Sequence, residues 1–169
     1  MKNNKEQHIE EVKLFVIRLL ALLILLGIMF GWVFGLFVIK NDDMKPSLKA
    51  GDLLLYYRLN STYKEGDLVV YEQNKVKYVG RIIAKSGDEV NINRENQLMI
   101  NGHEVMEPDI YQPTPKIKQG IDFPTKVTRE NYFILSDARQ GSKDSRYFGQ
   151  IAKNMIKGRV MTAVRRNNI

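Results

Sequence analysis

Two stretches hold most of the residues that could do chemistry. One is KNDDMKPSLKAGD at 40–52, with two adjacent carboxylates and one hydroxyl, Ser47. The other is SDARQGSKDSRYFG at 136–149, with Asp137, Asp144 and three serines. Two kinds of chemistry fit such side chains. Carboxylates held together can share one proton and act as an acid–base pair, which makes Asp42, Asp43, Asp137 and Asp144 the candidates. A serine can attack a carbonyl when a neighbouring base takes its proton, and a lysine made neutral by burial can be that base. Ser47 stands four residues beyond Asp43 and past Pro46, a poor place from which to serve as nucleophile. The chain has no cysteine, so thiol catalysis, disulfides and cysteine-bound metal are excluded. No cofactor is implied.

The elements that must position these residues begin with a membrane anchor. The run Leu19–Ile39 carries no charge over 21 residues. As a helix it would span roughly 31 Å, the thickness of a hydrocarbon core. It ends Phe37-Val38-Ile39-Lys40, without the small-residue site of a cleaved signal peptide. The expected organisation is a tail over 1–18, a transmembrane anchor over 19–39 and a domain over 40–169. Lys2, Lys5, Lys13 and Arg18 in the short tail favour a cytoplasmic N-terminus, which puts the domain outside. Membrane lipid is therefore the first expected partner. The net charge is +7, but basic residues alternate with acids and no nucleic-acid motif is present, so no nucleic acid is expected. A surface facing anionic lipid or cell wall suits this charge better.

Beyond the anchor the chain reads as short strands and turns. Asp52–Leu59, Asp67–Tyr71, Val76–Ala84, Val90–Asn93, Tyr132–Leu135 and Arg159–Val164 are rich in β-formers. Leu98–Ile100 and His103–Val105 flank Asn101-Gly102, a type I′ hairpin signal. Four of the five prolines, Pro108, Pro113, Pro115 and Pro124, mark a mobile excursion over 108–124. The expected fold is mostly β, with little helix outside the membrane.

Four motifs occur in a set order after the anchor: Met44-x-Pro46-Ser47-Leu48-x-x-Gly51-Asp52, Gly66-Asp67-Leu68-Val69-Val70, Arg81-Ile82-Ile83-Ala84-x-x-Gly87-Asp88, and the Ser136–Gly149 box with Ser142, Asp144, Ser145 and Arg146. Together they resemble the type I signal peptidases of bacteria, over nearly all of the chain from the anchor onward. The resemblance implies a β-barrel-like domain on the outer face of the membrane, and removal of signal peptides by a Ser/Lys dyad. It also implies a cleft formed by Asn41, Met44, Pro46, Arg81, Ser142, Asp144 and Arg146.

The departures from that family lie at the dyad. The family's nucleophilic serine precedes the Met of the first motif, where this chain has Asp43. Its general-base lysine precedes the Arg of the third, where this chain has Gly80. The oxyanion-binding serine is matched by Asn41, and the Gly and Asn of the last box by Ser136 and Ala138. A carboxylate at 43 would form an anhydride instead of an ester, and Gly80 accepts no proton. Lys77 and Lys85, an odd number of residues from Gly80, are expected on the other face of its strand. Met44 is expected either against the membrane beside the site or in the core. Gly80 is expected either to face an open cleft in which a partner strand docks, or to mark a position free to relax to any small residue once the lysine was lost.

The sequence is thus most similar to the catalytically defective signal-peptidase-like proteins that accompany pilus genes in Gram-positive bacteria. That resemblance implies a chaperone-like accessory role at the cell surface. The partner would be a secreted or pilin-like precursor, with the sortase that links pilins as a second candidate. The competing class is an active signal peptidase acting on secreted precursors with displaced catalytic groups.

Overall fold

The computed structural model describes residues 4–107 and 109–165, with side chains from residue 8 onward. Lys2 and Pro108, both used above, lie outside the described residues.

The apolar run is not one helix. Helix α1 covers Asn4–Ile28 and runs into a single π-helical turn, Met29–Val33. The chain then extends as strand β1, Phe34–Val38. The 26 residues His8–Val33 are long and apolar enough to cross a membrane, and none of them is buried in the rest of the protein. The helix thus begins before residue 19, and the last part of the expected 19–39 segment is strand. Gly27, Gly31 and Gly35 lower helix propensity in the second half of the run. Phe34–Val38 instead gains a five-residue antiparallel ladder with strand β2, Leu53–Tyr57. Continuous hydrophobicity alone does not distinguish a buried strand from a helix.

The domain is built of antiparallel strands. The remaining strands are β3 (Leu68–Gln73), β4 (Val76–Lys85), β5 (Glu89–Ile92), β6 (Leu98–Ile100), β7 (His103–Glu104), β8 (Thr125–Lys126), β9 (Asn131–Leu135), β10 (Ile151–Ala152) and β11 (Ile156–Val164). Seven of them form one sheet, in the order β1-β2-β11-β3-β4-β9-β10, and four form another, β7-β6-β5-β8. The only other α-helix among the described residues is α2, Ser145–Phe148. Six stretches expected as strands, and the hairpin, are found within a few residues of their expected limits. Asn101 and Gly102 both take positive φ, 51° and 82°, as a type I′ turn demands.

One turn is used three times. Lys49-Ala50-Gly51-Asp52, Lys64-Glu65-Gly66-Asp67 and Lys85-Ser86-Gly87-Asp88 each lead into a strand. In each, the Asp amide donates to the Lys carbonyl at 3.1 Å. Its carboxylate in turn accepts from the Lys amide, at 3.0, 2.9 and 2.9 Å. The glycines sit at φ 93°, 87° and 98°, which the third position of a type II turn requires. The spaced Gly-Asp pairs of the sequence are thus a device for starting strands.

Three apolar clusters fill the interior. Met44, Leu48, Leu54, Tyr56, Val70 and Val79 form one. Val69, Tyr71, Ile82, Ile134 and Ile156 are in the second. Ala84, Val90, Leu98, Phe133 and Leu135 are in the third, between the sheets. The excursion over 108–124 is not loose where it is described. Thr114 is buried, its amide donates to the Asn96 carbonyl at 2.7 Å, and its hydroxyl accepts from Arg139 at 2.7 Å. The carbonyl of Pro115 accepts from Arg146 at 3.1 Å. Prolines supply few donors, but two buried guanidinium groups need acceptors, and this segment provides them.

Candidate functional site

The site begins where β1 ends. Ile39 and Asp52 continue the β1–β2 ladder by an amide-to-carbonyl bond of 3.0 Å, and the chain between them folds into a tight loop. The loop is pinned from below by Met44 and Leu48, 1% and 5% exposed, in the first cluster. Of its two expected readings, Met44 follows that of a core side chain. Above them, Asp42 pairs with Lys45 at 2.8 Å and accepts from the Ala50 amide. Its carboxyl is held below the usual range by Lys45 first and then by that amide.

Pinning this loop turns Asp43 outward. Its carboxylate accepts a bond from the Asn41 side-chain amide at 2.6 Å, so two of the departures satisfy each other. Its carbonyl accepts from the Ala138 amide at 2.9 Å. The first and last motifs therefore meet at residues 41, 43 and 138.

Arg81 ties the third motif to the fourth. Its guanidinium grips Asp137 with two bonds, 2.9 and 2.7 Å, and also donates to the Ser47 hydroxyl at 3.2 Å and to the Gly66 carbonyl. The Asp137 carboxylate that it grips pushes the Arg81 pKa up, so the cation persists. Ser47 thus accepts this bond through its hydroxyl oxygen. Deeper still, Asp144 and Arg146 are both fully buried. Asp144 accepts from Arg146 three times and from the Ser136 amide. Ser142 donates to the Ala138 carbonyl at 2.7 Å, and Ser145 accepts from the Ile134 amide at 2.9 Å. These residues shape the site around Asp43. Each of Asp42, Asp43, Asp137 and Asp144 is bonded to a donor of its own, and none of these bonds joins two carboxylates. The described residues contain no cluster of acids and histidines able to hold a metal.

Gly80 differs from expectation. It is buried in β4 opposite Val69. A Cβ there would lie 2.5 Å from Ile134 Cγ2, 3.1 Å from the Leu135 carbonyl oxygen and 3.3 Å from Tyr71 Cε1. The position faces packed side chains and not an open cleft. Lys77 and Lys85 are exposed; Lys85 pairs with Glu65 at 3.1 Å, while Lys77 borders the same cleft as Asp43 and so does not lie away from the site as alternation alone suggested.

A cleft nevertheless adjoins the site, bounded by Ile39, Asn41 and Asp43 on one side and by Val76–Val79 on the other, with a volume of about 170 Å³. Strand β4 pairs with β3 over Val76–Arg81 but with β9 only from Arg81 onward. Residues 76–80 therefore keep one unpaired edge, and such an edge accepts an added strand.

Tyr71 was missed from sequence, where it reads only as one residue of a β-forming run. It closes the space beside Gly80, and its buried hydroxyl has no hydrogen-bond partner among the described residues. Burial pushes its pKa up strongly, and the charges of Asp144 and Asp43 add to this. Tyr71→Phe should leave the domain as stable or more stable by about 1 kcal/mol, because an unsatisfied buried group is removed. The sign with pH follows from the raised pKa. Tyrosine ionises near 10 when unfolded, so the stability that Tyr71 carries is complete below about pH 10 and is lost as pH rises further. Denaturation midpoints at neutral and alkaline pH should show wild type losing more than the Phe variant.

Comparison with known proteins agrees on one family. The family model described as signal peptidase, peptidase S26, matches residues 10–164. The chain is 34% identical to Signal peptidase I of Bacillus licheniformis, over 92% of this chain and 88% of that one. It is 32% identical to a Staphylococcus aureus (strain COL) protein named Inactive signal peptidase IA, over 88% of each. A crystal structure of a signal peptidase I from Enterococcus faecalis V583 aligns at 26% identity and a TM-score of 0.49, covering 60% of this chain and 98% of that one.

Proposed function

Because the chain belongs to the signal peptidase family, peptidase S26, we propose that it is a membrane-anchored member without hydrolytic activity. It binds an extended segment of a secreted or pilin-like precursor and assists surface pilus assembly. The observation that carries this reading is the packing at Gly80. The position that would supply the general base is closed by Ile134, Leu135 and Tyr71, while Asp43 is occupied by Asn41. Loss of either member of a nucleophile–base pair costs several orders of magnitude in rate. The cleft and the unpaired stretch of β4 still suit strand addition, in which each backbone hydrogen bond contributes about 1 kcal/mol net. The pilus role comes from family resemblance, and no residue by itself specifies a pilin.

A peptidase assay tests the reading. The full-length protein with a signal-peptide substrate should show no cleavage above background, and Asp43→Ala should change nothing. In the native cell, deletion of the gene should abolish polymerised pili, and the Asp43→Ala form should restore them. Hydrolysis abolished by Asp43→Ala would instead support the competing reading, an active signal peptidase.

In this reading α1 is the anchor, the N-terminus is cytoplasmic and the domain lies outside, as the Lys and Arg residues before the apolar run favour. Protease added to intact protoplasts should digest the domain and spare the tail. Protection of the domain would reverse the orientation.

A further inference from the structure

Charge is unevenly placed along the domain. Residues 86–115 hold six acids and one base, a local charge of −5 in a chain of +7. This segment contains β5, β6 and β7 and the loop that follows them. The same loop carries the two most exposed large apolar side chains among the described residues, Met106 at 89% and Tyr111 at 90%.

A single exposed apolar residue means little. Two on one fixed loop mean more, and one buried guanidinium fixes this loop at both ends. Arg139 donates to both carboxylate oxygens of Glu107 at 2.6 Å and to the Thr114 hydroxyl at 2.7 Å. Between these points the Ile110 amide donates to the Glu107 carbonyl at 3.1 Å. The freedom of the loop is thus lost already on folding, and a partner does not have to remove it.

Ile110, half-buried, stands where three hollows meet. One of about 220 Å³ reaches Ile82, Ile83 and Ile100, one of about 540 Å³ reaches Glu95 and Leu98, and one of about 240 Å³ reaches Lys45 and Pro46. The cations on their walls are already matched, Arg81 by Asp137 and Lys45 by Asp42. Among the described residues no ion pair engages Glu95, Glu104 or Asp109. Glu104 accepts from the neutral Gln97 side chain at 2.7 Å, which leaves its charge uncompensated. Surplus carboxylates around apolar hollows complement one chemistry, a cationic chain with aliphatic side chains between its charges.

We propose that Met106, Ile110 and Tyr111, rimmed by Glu95, Glu104 and Asp109, dock a basic, aliphatic segment of a protein partner. Its aliphatic side chains enter the hollows, and its lysines or arginines meet the carboxylates. Tyrosine and methionine are enriched at the centre of interfaces, while rim charges set the association rate and the choice of partner. This surface goes beyond the cleft reading. The cleft at Val76–Val79 is bordered by Lys40 and Lys77, which do not suit a cationic segment.

Fluorescence anisotropy with defined peptides tests this on the full chain in micelles of a neutral detergent. The probe is a short peptide alternating lysine and leucine and carrying an uncharged dye. Peptides alternating lysine with serine, and glutamate with leucine, are the comparisons, and micelles without protein set the background. The lysine–leucine peptide should bind about tenfold more tightly than either comparison, and high salt should weaken it. Met106→Ser and Tyr111→Ser should each lower its affinity about tenfold, as truncation at the centre of an interface does. Glu104→Lys and Asp109→Lys should each lower it about fivefold, the upper range for an exposed charge pair. Glu130→Lys, the same reversal in a different hollow, should leave it unchanged, and so should Lys77→Trp.

Equal binding of the three peptides, or none at millimolar concentration, would overturn the proposal, as would loop variants that bind like wild type. A loss in Lys77→Trp in place of the loop variants would put the peptide in the cleft, which removes this surface and leaves the cleft reading standing. Sedimentation showing self-association of wild type that Tyr111→Ser abolishes would mean that a second copy covers the loop, which also overturns the proposal.

Discussion

Asp144→Ala should destabilise the domain by about 3–5 kcal/mol, the cost of breaking a buried ion pair from one side. Both Asp144 and Arg146 are fully buried. The carboxylate receives the Arg146 amide, Nε and Nη2 and the Ser136 amide. Removing it strands a guanidinium and a backbone donor in the interior. The damage should spread, because Arg146 also holds the Pro115 carbonyl and its own carbonyl accepts from the Ile121 amide. Urea unfolding of the full chain in micelles would measure the loss. Asp144→Leu with Arg146→Met should be less harmful than Asp144→Ala, since no unpaired charge remains. The exposed pair of Lys45 with Asp42 is the contrast, and its loss should cost far less, since solvent screens an exposed pair. A loss below 1 kcal/mol in Asp144→Ala would mean that this pair does not clamp the excursion to the core.

The strand pattern was legible because alternation and turn chemistry are local. Asn101-Gly102 could do little except make its hairpin, and each Gly-Asp marked a strand entry even though the shared Lys-x-Gly-Asp turn went unseen. The helix–strand boundary at Val33 was not legible. Phe34–Ile39 is as apolar as the helix before it, and only its pairing with Leu53–Tyr57 separates the two. The meeting of Asn41, Asp43 and Ala138 followed from motif order by resemblance, but the bond from Asn41 to Asp43 is a matter of rotamers. Most hidden from the sequence was the surrounding of Gly80. Tyr71 and Ile134 lie on different strands, and alternation alone does not reveal which side chains crowd a glycine from across a sheet. The same holds for Thr114 and Pro115: prolines announce irregular backbone, and they do not reveal that buried arginines hold that backbone down.

Gly80→Trp should unfold the domain and not merely block its cleft. A Cβ at this position already stands 2.5 Å from Ile134 Cγ2 and 3.1 Å from the Leu135 carbonyl oxygen. The second contact is backbone of the neighbouring strand β9, which cannot yield without parting the pairing of Arg81 with Leu135. Overpacking a core typically costs 1–3 kcal/mol, and an indole in so tight a place should cost about 3 kcal/mol or more. The same geometry bears on restoring the dyad. Asp43→Ser with Gly80→Lys should give no measurable cleavage, because the lysine stem meets Ile134 before it can reach residue 43. Adding Ile134→Ala makes room, and any cleavage regained should appear only in that triple variant. Blocking the cleft without harming the core calls for Lys77, which borders it and is exposed. Lys77→Trp should keep the wild-type circular dichroism and melting temperature while weakening partner capture. The loss should equal several backbone hydrogen bonds at about 1 kcal/mol each. A Gly80→Trp protein that melts with the wild type would put this position back in open space, and the case for a closed base site would fall with it.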